Sequence, residues 1–164
     1  MFTTQLMLAG QSTPAEHTAT FTRANPLSGE VVTTAAAASV GDANAAADAA
    51  GQAFEAWSQT GPGERRAKLL KAAELMEQRQ ADFIDRMVEE TGATLGWAGF
   101  NVKVAADVLR EAAALTTQIQ GDIIPSNVPD SIAMGVRIPC GVVVGVAPWN
   151  APIILGTRAI ATPF

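Results

Sequence analysis

One cysteine, one histidine and no basic run are the first limits that this chain of 164 residues sets on itself. A single cysteine excludes an intrachain disulfide and suits a reducing cytoplasm. A net charge of −5 without any cluster of Lys or Arg argues against a nucleic-acid partner or an anionic membrane surface. Long apolar runs are also missing. The start, MFTTQLMLAGQSTPAEH, has no basic region and only a short apolar patch at residues 6–9, so neither a signal peptide nor a membrane span is expected. His17 stands in that polar start, and no metal site is expected around it. There is no internal repeat, and no low-complexity tract beyond alanine-rich helix. What is left is a soluble, cytoplasmic chain long enough to bury the core of one ordinary domain.

Residues 1–18 are small and polar and read as a flexible arm. Two short strands follow over 19–35, joined by a turn at Asn25-Pro26-Leu27-Ser28-Gly29, where proline sets φ and glycine allows a left-handed residue. Ser39 reads as a helix N-cap, with Asp42 completing a capping box. Val40, Ala43, Ala47, Ala50, Phe54 and Trp57 then recur at helical spacing and predict a buried stripe. A second helix is expected over about 64–91, burying Leu69, Ala73, Met76, Phe83 and Met87, with Gly92 as its cap. A third, over about 94–120, carries Ala98, Val102, Ala105, Leu109 and Ala112 on one side. Val104, Val108 and Leu115 widen that side, so this helix should be the most thoroughly buried, with Gly121 as its C-cap. Residues 131–138 read as another strand.

The stretch around which the chain is organised is RIPCGVVVGVAPWNAPI, residues 137–153. Val142-Val143-Val144-Gly145-Val146 is continuous and β-branched, the pattern of an interior strand in a parallel sheet. Pro148 ends it, and Pro152 suits the first turn of a helix. Trp149 and Asn150 thus lie beyond the carboxyl end of a strand, where open α/β sheets bind ligands. By itself Asn150 is better explained as a helix cap or Asx turn than as a catalytic donor.

GVVVGVAPWNAP resembles the Pro-Trp-Asn-x-Pro segment of the aldehyde dehydrogenase superfamily, and the turn Asn-Pro-x-x-Gly-Glu resembles the way those enzymes begin. The resemblance runs in the family's order from about Ala19 onward. It implies an α/β fold, of which this chain is the N-terminal part: N-terminal strands and a helical part of the NAD(P)-binding domain over 19–130, an oligomerisation-arm strand over 131–140, and the first strand and helix of a Rossmann-like parallel sheet over 141–164, incomplete. It implies oxidation of an aldehyde with NAD or NADP through a cysteine thiohemiacetal, in a homo-oligomer, dimer or tetramer, at full length. On the same ground Asn150 gives its side-chain amide to the oxyanion, and Val146, Ala147, Pro148 and Trp149 flank the nicotinamide. Ala151, Ile154, Leu155 and Arg158 share a helix face that in the family lines the aldehyde tunnel, and Trp97 falls in another tunnel segment. Ala151 stands where many members carry a bulky aromatic, which leaves width for a flat ring. Arg158 offers a planar cation to an arene or a phenolate oxygen. The resemblance is closest to the members that act on salicylaldehyde and vanillin, so a hydroxylated benzaldehyde is the expected substrate. Arg158 as a surface ion-pair partner and Trp97 as ordinary core stand beside those readings.

The family's nucleophile is a cysteine, and Cys140 precedes the core strand, with no His or Lys nearby to lower its pKa. A plain buried thiol is expected there. The glutamate base and the Lys and Gly-rich segments that hold the dinucleotide have no counterpart, and Gly141-x-x-x-Gly145 lies inside a strand. The chain therefore looks like the N-terminal piece of a longer enzyme, inactive alone. A short non-catalytic oligomerisation or binding module derived from the family is the alternative.

Overall fold

A computed structural model describes all residues 1–164. Asn25 makes the first turn: its Oδ1 accepts the backbone N–H groups of Leu27 at 2.8 Å and Ser28 at 3.2 Å, and Gly29 takes φ +76°. That turn joins β4 (Thr20–Ala24) to β5 (Val31–Ala36) as an antiparallel pair, as expected. On the other side of β5, β1 (Phe2–Thr4) pairs with it in parallel, and β2 (Leu6–Leu8) and β3 (Gln11–Thr13) form a second small hairpin. The start is therefore not the expected flexible arm. Its strands are three residues each, too short for alternation to show, and β1 is fixed by a distant edge.

Ser39 builds the predicted capping box. Its Oγ accepts the Asp42 N–H at 3.0 Å, and the Asp42 carboxylate accepts the Ser39 N–H at 2.8 Å. Asp42 also accepts the Glu16 N–H at 3.0 Å, so the cap ties the first eighteen residues to the helix. These backbone donors hold the Asp42 carboxyl below its ordinary range. The helix they start, α1 (Val40–Ser58), buries no residue, and Val40 is 79% exposed. Its apolar stripe is formed but only partly covered: Phe54 and Trp57 are half-buried, with Trp57 against Phe164, and the rest faces a groove of about 900 Å³ shared with residues 141–147 and α5 (Pro152–Ala161).

The single helix expected over 64–91 is two. α2 (Pro62–Gln78) and α3 (Gln80–Thr91) meet at Arg79, which sits at φ −103°, ψ 21°. Between Met76 and Phe83 no large apolar side chain holds that turn inward, so the chain can redirect there. Gly92, at φ +69°, caps α3 as expected. α4 (Leu95–Leu115) is the central helix and the most buried, with Ala98, Asn101, Val102, Ala105, Ala106, Leu109 and Ala113 enclosed. It ends five residues before the expected Gln120. Thr116 bonds its Oγ1 back to the Ala113 carbonyl at 2.9 Å, and β-branched Thr116-Thr117 continues a helix poorly. Gly121 is accordingly no helix cap; a Cβ there would come 2.4 Å from the Gly135 carbonyl oxygen, across a strand pair.

That pair is β6 (Asp122–Ile124) with β7 (Ala133–Gly135), antiparallel. The strand expected over 131–138 is thus shortened, and it has a partner that the sequence reading did not supply. The core joins α2, α4 and the last helix, α5 (Pro152–Ala161), through Leu69, Ala73, Ala106, Leu109, Ala113 and Ala161. Glu77 and Arg110 pair across α2 and α4; each holds the other in its charged form, lowering the Glu77 pKa and raising that of Arg110.

The run 141–147 makes no ladder hydrogen bond. The expected interior strand is unpaired because the chain places no strand beside it. Val144 and Val146 are 86% and 88% exposed, and Cys140 is exposed rather than buried, for the same reason. On its inner side Gly145 lies against Ala159 of α5, where a Cβ would meet the Ala159 methyl at 2.7 Å. The whole is a mixed α/β arrangement: small sheets within the first 36 residues and a two-stranded ribbon at 122–135, with four helices between them and α5 last.

Candidate active-site turn

Residues 147–151 connect the unpaired valine run to α5. Pro152 at the first turn of α5 starts the helix, and Ala151 occupies the N-cap position with no side-chain hydrogen bond. Asn150 therefore does not cap α5. Its side chain is exposed and makes no hydrogen bond, neither a cap nor an Asx turn, so its amide is free to donate.

The Asn150 backbone is held differently. Its carbonyl accepts the indole N–H of Trp97 at 3.3 Å, which brings the first turn of α4 against the turn. Trp97 is itself anchored: its backbone N–H donates to Thr94 Oγ1 at 3.2 Å, and its ring stacks on Phe100 with centroids 5.4 Å apart. One turn on, Asn101 donates its Nδ2–H to the Trp97 carbonyl at 3.1 Å. Asn101 is 0% exposed, and its Oδ1 has no partner. The sequence reading passed over Asn101. A lone amide at a core position among Ala98, Val102 and Ala105 was the available signal.

Ala151 and Ile154 are buried and Leu155 is half-buried. Arg158 lies two turns on from Ala151, exposed, in a cleft of about 330 Å³ lined by Val108, Leu115 and Ile119 of α4 and its extension. No carboxylate lies within 4 Å of it, so the surface ion pair considered from sequence does not form. The fold thus brings Trp97 to Asn150 but leaves Arg158 apart from Trp97. On the other side of the turn, Ala147, Pro148 and Trp149 border a cleft of about 310 Å³ with Arg23, Arg86 and Glu90.

Val146, Ala147, Pro148 and Trp149 form an open strip: their backbone makes no backbone hydrogen bond, and Val146 and Trp149 are exposed. The three lysines, Lys68, Lys71 and Lys103, are each paired with a carboxylate on their own helix. No group of His, Cys, Asp and Glu is arranged to hold a metal ion. No helix is long and apolar enough to cross a membrane.

Comparison with known proteins agrees on one family. The model described as "Aldehyde dehydrogenase family" matches residues 13–164. A vanillin dehydrogenase of Pseudomonas fluorescens is 56% identical over 163 residues, 99% of this chain and 34% of the relative. The crystal structure of a salicylaldehyde dehydrogenase from Pseudomonas putida G7, complexed with salicylaldehyde, superposes with a TM-score of 0.97 at 44% identity, covering 99% of this chain and 34% of that one. A NAD-dependent benzaldehyde dehydrogenase from Corynebacterium glutamicum gives a TM-score of 0.92 at 31% identity, over 98% and 35%. The chain spans about a third of the length of the relatives it matches.

Proposed function

The chain belongs to the aldehyde dehydrogenase family, and from that premise we propose that it forms the oxyanion-stabilising and tunnel-lining part of an NAD- or NADP-dependent oxidation of an aromatic aldehyde to its acid. The observation that carries this reading is the Asn150 amide, uncommitted to any cap and set on a turn whose carbonyl is tied to α4. When a cysteine thiolate adds to an aldehyde, negative charge develops on the former carbonyl oxygen. A donor already fixed at that place stabilises it without reorganisation. Asn150 supplies that donor; the thiolate comes from outside these residues, since Cys140 lies exposed before the valine run.

The open backbone and exposed ring of Val146 to Trp149 fit one face of a flat nicotinamide. NAD or NADP, when bound, supplies the hydride acceptor. Ala151, Ile154, Leu155 and Arg158 on α5, with Trp97, form the aldehyde's route. A small Ala151 leaves room for a ring, and an unpaired guanidinium at Arg158 suits an arene or a phenolate oxygen. The named substrates of the similar proteins, vanillin, salicylaldehyde and benzaldehyde, support the aromatic class. The segment 131–140, with Ile132 and Met134 exposed, is assigned to contacts between subunits of a homo-oligomer, and 19–130 to the N-terminal strands and helical part of the NAD(P)-binding domain. A cytoplasmic location completes the reading.

The test is a substrate panel on the enzyme that carries this chain at its relatives' length. Salicylaldehyde or vanillin should exceed short aliphatic aldehydes in kcat/KM, and Arg158→Ala should shrink that ratio. Preference for aliphatic aldehydes, or a ratio untouched by Arg158→Ala, defeats the aromatic assignment alone. No aldehyde-dependent NAD(P)H formation at all favours a non-catalytic module instead.

A further inference from the structure

Trp97 offers the turn two things, a flat ring and an N–H, and only the ring belongs to the tunnel reading. The N–H donates to the Asn150 carbonyl at 3.3 Å, between residues 53 apart in sequence. Nothing comparable holds the rest of the turn, because residues 139–149 make no backbone hydrogen bond. Trp97, by contrast, is held from both ends. Thr94 accepts its backbone N–H, and Asn101, fully buried, grips its carbonyl at 3.1 Å. The stacked ring of Phe100 limits its rotation.

A free side-chain amide stabilises developing charge only if its backbone is already placed; small misplacements cost rate steeply. We propose that Trp97 is a positioning residue for Asn150: its indole N–H locks the Asn150 carbonyl and thereby aims the amide. Asn101 is the buried brace behind it. This rests on the reading of Asn150 as oxyanion donor.

The deciding variant is Trp97→Phe, which keeps a planar wall and removes the N–H. In the full-length enzyme kcat for an aromatic aldehyde should fall about five-fold, the loss of roughly one hydrogen bond, with KM little changed. In an Asn150→Ala background the same change should cost nothing more, because the group being aimed is gone. Wild-type kcat in Trp97→Phe, a rise confined to KM, or an undiminished loss in the Asn150→Ala background each overturns the proposal. Should Trp97→Phe lower the melting temperature, benzothienylalanine at position 97 keeps the bicycle without the N–H and decides instead. Wild-type kcat in Asn150→Ala sinks the oxyanion reading; an impaired Asn150→Ala beside a normal Trp97→Phe sinks this inference alone.

Discussion

Two side chains with similar sequence credentials, Ser39 and Asn150, meet different fates, and the difference lies in what surrounds each. Both are polar residues just before an apolar periodic run, the setting of an N-cap. Ser39 caps α1, because Asp42 three residues on returns the bond. Asn150 stands one residue outside the N-cap position, which Ala151 occupies, and its side chain accepts none of the first-turn N–H groups. A free amide then has a testable signature. Asn150→Ala should reduce kcat by on the order of 10²–10³ while leaving the melting temperature nearly unchanged. Near-normal turnover with a lowered melting temperature would return Asn150 to a structural role. Asp42 makes the opposite kind of statement. Its pKa is lowered in the fold by the Ser39 and Glu16 backbone donors. Its stabilising charge is therefore fully present above the ordinary carboxylate pKa and lost as pH falls through the depressed value. The stability gap between wild type and Asp42→Asn, measured by urea unfolding, should be widest near neutrality and close in acid. A gap that is constant with pH would contradict the assignment.

At the scale of elements, small residues decide how closely helices approach. Ala73 of α2 and Ala106 of α4 are both essentially inaccessible and belong to one cluster with Leu69, Leu109, Ala113 and Ala161. Leucine at 106 would have to displace backbone rather than fill a void. Ala106→Leu should therefore destabilise by about 1–3 kcal/mol, read from denaturant midpoints. A neutral or stabilising result would mean that this helix pair has slack the structure does not show. The Arg79 break has the converse origin. With no large apolar group between Met76 and Phe83, α2 and α3 can each seat their own buried residues, Leu69 and Ala73 in one and Met87 in the other.

For the molecule as a whole, the open surfaces are the telling feature. The α1 stripe, the valine run and the β6–β7 ribbon all expose apolar side chains on this chain. Unpaired backbone beside exposed valines is a template for association. The 164-residue polypeptide by itself should self-associate in sedimentation and form no NADH from aldehyde and NAD, and Val144→Lys should shift it toward monomer. A monodisperse wild-type monomer, or aldehyde oxidation abolished by Cys140→Ser, would reverse these expectations.

Periodicity and turn chemistry were enough to determine the β4–β5 hairpin, the Ser39 capping box, the Gly92 cap and the burial of α4, because each is written within a few neighbouring residues; the family was legible as a resemblance, carried by the motif GVVVGVAPWNAP. Tertiary structure alone decided the rest. The pairing of β1 with β5 depends on an edge some thirty residues away, and the pairing of β6 with β7 on two segments brought together across the loop between them. The valine run reads as an interior strand because its composition reports the burial it suits. Whether it pairs depends on neighbours, and this chain places none beside it. The same distinction separates Asn150 from Trp97: a motif can name the donor, but only the packing of α4 against the turn shows what holds it in place.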